Sequence, residues 1–367
     1  YTFFKGDRKV VDPKTGKLSS VPAGSGEGQA DRPGGDAESF APTVPLLVDM
    51  NPGLEKAFSS KLLNDELVNV RRALFEDLGI IFPGITLRFN AQLPEEAYAI
   101  LVSEIPVSQG RMRPRYLLVR EDPDNLAALA IPFEQDKGFL PGIPTLWASA
   151  DLKGPIANAG IAFLEPTQLL SYHIALVLKK HAAEFIGIQE TRALLTDMET
   201  RFPELAKEIQ RVMPIHKIAE ILQRLVGEGV SIRNLRSVME ALIEWGQKEK
   251  DSVMLTEYVR VALKRHISYR HSAGLNVLPA YLLAPAVEDT VRNAVRQTSG
   301  GSYLALDPAT SRQLLENIKK TVGDLTRSMH KPVLLTSMDI RRYMRKMIEQ
   351  DLYELPVLSY QELTPEV

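Results

Sequence analysis

The chain has 367 residues, 44 of them basic and 46 acidic, with a formal net charge of −2. No global positive field recruits it to nucleic acid or an anionic bilayer, and the lack of cysteine excludes disulfides, thiolate catalysis and Cys-type zinc sites while suiting a reducing compartment. A hydrophobic content of 44% supports a real core over two or three domains, and no run of about 18 uncharged apolar residues is present to span a membrane.

Tyr1-Thr2-Phe3-Phe4 gives way at once to Lys5, Asp7, Arg8 and Lys9, which is no signal peptide, and without an initiator methionine the chain reads as a fragment. Residues 12–43 are rich in Pro, Gly, Ser, Asp and Lys and bury too little surface to offset their ordering entropy, so they read as flexible linker. Order is expected from Val44-Pro45-Leu46-Leu47-Val48-Asp49. A helix is expected over Leu62 to Leu78, on the spacing of Leu63, Leu67, Val70, Leu74 and Leu78, with Gly79 past its end. Ile85 to Phe89 alternates as a strand; Tyr98 to Ile105 and Arg115 to Val119 are further strands. The prolines and glycines from Pro123 to Pro155 suggest a small, loop-rich subdomain.

Helical spacing dominates from Pro166 to about Ser268. Its stripes are Leu170, Ile174, Val177 and Leu178, then Ile218, Ile221, Leu222 and Leu225 up to Gly227-Glu228-Gly229. Ser231 is read as the cap of the next helix, whose stripe is Ile232, Leu235, Val238, Met239, Leu242 and Ile243. Two short helices about a glycine turn make a helix-turn-helix-like unit. Met254 to Leu263 continues as helix. A last domain begins near His271, with strands at Val277–Leu283 and Tyr303–Leu306. Its helices start at Pro285 and after the Asp307-Pro308 cap, the second with Leu314, Leu315, Ile318 and Val322 inward. The close is a βαβ unit: strand Val333–Leu335, N-cap Ser337, a helix with Ile340, Tyr343, Met344, Met347 and Ile348 inward, then strand Val357–Tyr360 after Pro356.

No phosphate-binding loop, dinucleotide fingerprint or nucleophile elbow occurs. His173 and His181, eight apart on one helix, read as packing residues before a metal pair. His266, Tyr269 and His271 lie at a subdomain junction and read as hinge before pH sensor; Ser272 beside His271 is no dyad by adjacency alone. Arg233 and Arg236 sit where a recognition helix would meet DNA. Glu220, Glu228, Glu240 and Glu244 in the same region favour a packing or subunit-contact unit. Arg341, Arg342, Arg345 and Lys346 form a basic face, read as solvated or as an intersubunit surface. Phe139, Leu140, Ile143 and Trp147 mark an apolar, loop-rich stretch, read as packing or as a docking surface for a chaperone.

The C-terminal stretch "PVLLTSMDIRRYMRKMIEQDLYELPVLSYQEL" resembles the end of the export-gate proteins of type III secretion systems, the flagellar/invasion export-pore family. Residues 169–268 resemble that family's central helical region, and 70–100 the segment near the start of its cytoplasmic part. The matches are collinear over residues 42–363. Flagellar members carry Phe-Gly-Leu-Pro where this chain has Pro141-Gly142-Ile143-Pro144, which puts the flagellar chaperone groove in doubt and favours an injectisome-type member.

The resemblance implies a mixed α/β (α+β) chain of four subdomains. After a linker (1–43) from a membrane domain, these are a split α/β subdomain (44–107 and 156–175), an inserted subdomain (108–155), a helical subdomain (176–270) and a C-terminal α/β subdomain (271–367). It implies a protein of the inner membrane, with this part on the cytoplasmic side and without enzymatic activity, cofactor, metal or nucleic acid. Such members form a nine-membered ring that receives chaperone–substrate complexes, a gatekeeper protein and the stalk protein of the secretion ATPase, and passes substrates to the membrane export channel. Arg233, Arg236, Glu240, Arg341 and Arg345 are the candidate ring contacts, closed by heterologous packing. Phe139, Leu140, Ile143 and Trp147 are the candidate docking residues, and His271 to Gly274 the candidate hinge. The rival classes are a DNA-binding regulator built on the helix-turn-helix-like region and a hydrolase with a His271/Ser272 site.

Overall fold

The computed structural model describes residues 8–11, 18–21, 42–55, 60–298, 301–323, 325 and 331–366. Contacts divide the chain into two units, Tyr1–His181 and Ala182–Val367.

In the first unit, strands β1 (Arg8–Val11) and β2 (Leu18–Val21) pair as an antiparallel hairpin. They fall inside the stretch expected to be flexible linker, whose other residues up to 41 lie outside the described residues. Strand β3 (Leu46–Met50) is buried at all five positions. Helix α1 (Ser60–Leu78) turns Leu63, Leu67, Leu74 and Leu78 inward and stops at Gly79, whose φ of 83° is the left-handed stop expected there. Strand β4 (Thr86–Phe89) runs parallel to β3, and β5 (Ala97–Val102) antiparallel to it. With a neighbour on each side, β3 is uniformly apolar in its first three residues. Strand β6 (Ile105–Arg111) completes the order β2-β1-β4-β3-β5-β6. The single strand expected over Tyr98–Ile105 is therefore two. The chain reverses at Ser103 and Glu104, with φ of 50° and 66°, a turn that usually announces itself with Asn-Gly.

The inserted part follows as β7 (Tyr116–Val119), α2 (Pro123–Ala128), β8 (Glu134–Asp136), β9 (Thr145–Ser149), α3 (Lys153–Asn158) and β10 (Phe163–Leu164). These strands form a second, antiparallel sheet in the order β10-β7-β9-β8. Its core is Leu117, Val119, Leu126, Leu146 and Ile156. The sheet reaches beyond the expected boundary at 155, because β10 pairs with β7. Helix α4 (Pro166–Lys180) then packs against α1.

The second unit opens with α5 (Ile188–Arg201), α6 (Pro203–Val212), α7 (Ile215–Gly227), α8 (Leu235–Gly246), α9 (Ser252–Ala262) and α10 (Lys264–Ser272). The stripes Ile218, Ile221, Leu222 and Leu225 on α7, and Val238, Met239 and Leu242 on α8, are buried. Asn234 caps α8, accepting from the Ser237 N–H. Ser231 is instead buried and accepts the Arg233 N–H in a local turn.

The rest is β11 (Ala280–Leu282), α11 (Pro285–Ala294), β12 (Val295–Thr298), β13 (Gly301–Leu304), α12 (Pro308–Val322), β14 (Val333–Thr336), α13 (Met338–Ile348) and β15 (Val357–Ser359). Strands β11, β14 and β15 form a parallel sheet in that order, so β14-α13-β15 is the expected βαβ unit. Asp307 caps α12 as expected, accepting from Ala309 and Thr310. Ser337 sits at the cap position of α13 without capping it. Its hydroxyl donates to Glu288 at 2.5 Å, and the same carboxylate accepts its N–H at 2.9 Å. The α/β part has its own core, including Val291, Leu334, Ile340, Met344, Ile348 and Val357.

Candidate functional site

The inserted sheet places the expected docking residues inside the fold. Trp147, on the central strand β9, is 1% exposed and packs with Leu118, Leu140 and Leu169; Phe139 and Ile143 are half-buried against them. Leu140 and Trp147 are therefore core residues joining the second sheet to α4, which corrects their reading as a docking face. Only the end of that apolar run, Thr145 to Trp147, is strand, buried within the sheet, while Phe139 to Pro144 is the loop that leads into it. Arg113 lies over the Trp147 ring at 5.6 Å and over Tyr116 at 5.2 Å, and its guanidinium pairs with Glu134 at 2.5 Å.

His173 is buried beside this core. Its Nδ1 lies 2.8 Å from the Tyr98 hydroxyl and its Nε2 2.8 Å from Ser108 Oγ. Burial pushes the Tyr98 phenol upward, so it stays protonated, and each ring nitrogen faces a hydroxyl able to donate or accept. Burial also lowers the His173 pKa to about 4, leaving a neutral ring with both nitrogens engaged. His181 is the residue that closes α4. Among the described residues no group of three His, Asp or Glu side chains is placed to hold a metal.

On the second unit, Arg236 and Glu240 form an exposed pair at 2.8 Å on successive turns of α8. Arg236 also lies over the Phe202 ring at 5.3 Å, at the break between α5 and α6. Arg233 is exposed in the turn before α8 rather than on the helix. His271 lies in the last turn of α10, followed by Ala273 and Gly274 with φ of 51° and 77°. Ser272 is buried and its hydroxyl points to the Tyr269 carbonyl at 3.5 Å. Neighbouring helical residues diverge around the axis, so His271 and Ser272 do not face each other.

The basic cluster on α13 is where the structure departs furthest from expectation. Arg341 is 1% exposed and Arg345 7%; of the four basic residues only Lys346 is fully exposed. Neither buried arginine is available to a neighbouring subunit, which corrects both as ring contacts. Arg341 grips Glu257 with Nε at 2.6 Å and Nη2 at 2.5 Å, and Glu228 with Nη1 at 2.5 Å and Nη2 at 3.0 Å. Its remaining N–H reaches the Val357 carbonyl at 3.2 Å. Arg260 reaches Glu362 at 2.7 Å and Glu228 at 3.3 Å, while Glu362 accepts from Ser359. Burial would raise the Glu228 carboxyl, but the Arg341 and Arg260 charges prevail and hold it at about 2. Arg345 donates to the carbonyls of Tyr353 and Leu355, both at 3.0 Å, tying down the loop after α13.

Glu257, Arg260 and Glu362 were not singled out from the sequence, and Glu228 was read only as one of the acidic residues that disfavour DNA binding. The available signal was charge interrupting an apolar helix face: Glu257 and Arg260 flank Val259 on the buried side of α9.

The model of the FHIPEP family matches residues 15–367. The chain belongs to the FHIPEP family. This FHIPEP chain is 52% identical to the low calcium response locus protein D of Yersinia pestis over 333 residues, 91% of this chain and 47% of that protein. It thus spans about half the length of the curated relatives it matches. A solved complex of the Chlamydia pneumoniae CdsV and CdsO proteins contains a chain similar to it with a TM-score of 0.83 and 38% identity, covering 90% of this chain and 97% of that one. The nonameric EscV cytosolic domain from the type III secretion system matches with a TM-score of 0.71 and 33% identity, covering 90% and 96%. The resemblance to type III export-gate proteins is borne out by these matches at the level of family.

Proposed function

We propose that this chain is the cytoplasmic part of a type III secretion export gate, assembling as a nine-membered ring on the cytoplasmic side of the inner membrane. The observation that carries the reading is the shared fold over 90% of the chain with CdsV, solved with CdsO, together with the match to nonameric EscV. By this reading the ring receives the ATPase stalk, a gatekeeper and chaperone–substrate complexes, and hands substrates to the membrane channel. Arg233, Arg236 and Glu240 remain its candidate ring contacts, since all three are exposed. The chain does no chemistry of its own; in support, the buried ionisable groups described above are committed to one another as ion pairs or hydrogen bonds.

Secretion in the parent bacterium tests this. Removing the segment that encodes this chain, with the preceding part of the gene intact, is expected to abolish export of type III substrates, and restoring it to recover export. Export that persists without the segment would overturn the reading.

A further inference from the structure

Helix α10 reads Lys-Arg-His-Ile-Ser-Tyr-Arg-His-Ser. It carries Lys264, Arg265 and Arg270 with two histidines and no acidic side chain, in a chain whose net charge is −2. Ile267, Ser268 and Ser272 take its buried side, while Lys264, Arg265, His266 and Tyr269 are exposed. Other surface helices of the same unit mix signs: α6 pairs Lys207 with Glu204 and Arg211 with Glu208 one turn apart. Like charges gathered on one short helix repel, and α10 supplies nothing to relieve them.

A cavity of about 700 Å³ opens beside α10. Arg265, His266 and Tyr269 line it from the helix, Asn234 and Ser237 from the start of α8, and Leu275 and Asn276 from the turn that follows. The Tyr269 ring stands over Gly274, where an added Cβ would lie 3.1 Å from it, and is 70% exposed. Leu275, 49% exposed, and Val277, 69% exposed, extend this apolar lip. Among the described residues lining the cavity, Glu366 is the one acid. Its own backbone N–H and the Thr364 hydroxyl hold its carboxyl below the ordinary value, and the Arg265 and Lys264 charges add to this.

Shape and composition together narrow the partner. A concave site of this volume accommodates a few side chains. A nucleic-acid strand is instead followed by a basic stripe along its backbone. Here the basic run is one nine-residue helix, and the lip beside it is apolar.

We propose that the cavity beside α10 docks a short acidic peptide segment of a partner protein, its carboxylates meeting Arg265 and Lys264 and an apolar side chain between them resting on Tyr269 and Leu275. The inference does not rest on ring assembly.

Fluorescence anisotropy with a labelled peptide, Glu-Asp-Leu-Glu-Asp-Leu-Glu-Glu, tests it against the uncharged Gln/Asn counterpart. The chains compared are wild type, Arg265→Glu, Tyr269→Ser and the control Lys346→Glu on α13; all three substituted side chains are exposed, so the fold is not at stake. The acidic peptide is expected to bind wild type with a Kd below about 1 mM, and its counterpart about tenfold or more weakly. Arg265→Glu should weaken binding about tenfold or more and Tyr269→Ser about threefold or more, with Lys346→Glu within about twofold of wild type. No binding at about 1 mM, equal binding of the two peptides, or equal weakening by Arg265→Glu and Lys346→Glu would overturn the proposal. So would an oligothymidine that competes with the peptide at equal affinity, which would make α10 a nucleic-acid surface. Light scattering on the same samples closes the last alternative: peptide binding that disappears as the chain assembles would assign the cavity to a neighbouring copy and reject an external partner.

Discussion

Arg341 spends every N–H on Glu228, Glu257 and the Val357 carbonyl, so truncating it strands the Glu257 carboxylate, 2% exposed, and leaves Glu228 with Arg260 alone. Arg341→Ala is expected to lower stability by ~3–5 kcal/mol in urea titration, against within ~0.5 kcal/mol for Glu240→Ala on exposed α8. Similar losses for the two would contradict the burial and pairing described for α13. His173 gives a pH signature. Its folded pKa of about 4 lies below the ordinary ~6.5, so as pH falls the unfolded chain takes up a proton that the folded chain refuses. Stability complete above pH ~6.5 is lost toward pH 4, with about 2 kcal/mol gone by pH 5. Urea unfolding at pH 7 and pH 5 should show a smaller gap for His173→Gln than for wild type; equal gaps would exclude His173 as the source. Residues whose role is local were legible in the sequence: Gly79 ends α1 and Asp307 caps α12 from their own neighbours. Arg341 and Trp147 were misread because their partners lie far along the chain. Glu228 is 113 residues from Arg341, and no local pattern distinguishes a buried arginine from a solvated one.

Elements with a long helical stripe, such as α1, α7, α8 and α12, and the βαβ unit with its apolar strands, follow from periodicity alone. Elements lacking it did not show. Strand β6 is mostly exposed and polar, and its turn with β5 uses Ser103-Glu104 in place of glycine. Strand β12 reads Val-Arg-Gln-Thr, largely exposed, and among the described residues pairs only with β13. Replacing Ser103-Glu104 by Asn-Gly, residues suited to positive φ at both positions, is expected to stabilise by ~0.5–1 kcal/mol on thermal denaturation. A loss of stability would count against the turn geometry. Across the same hairpin Gly110 lies opposite Tyr98, and a Cβ there would overlap the Tyr98 ring, which is buried and held by His173. Gly110→Ala should lower stability by ~1–3 kcal/mol, whereas Gly138→Ala, with open space around its Cβ, should change little. Equal effects at the two glycines would mean that Tyr98 yields.

At the scale of the molecule, near-neutral charge leaves no global positive field to recruit nucleic acid. The mixed α/β fold was legible because three collinear stretches carry it. The expected docking and α13 contact residues were not, since two apolar docking residues and both α13 arginines are spent inside the chain. Of the candidate ring contacts, Arg233 in the turn before α8 and Arg236 and Glu240 on α8 remain exposed. The most direct measurement of the central claim is the mass of the purified chain over a concentration series, by light scattering with electron-microscope imaging of the same samples. The account predicts closed rings of nine subunits, as in the EscV domain of the same fold, weakened by Arg236→Glu. A monomer at every concentration, or an assembly of different order with no closed ring, would contradict it.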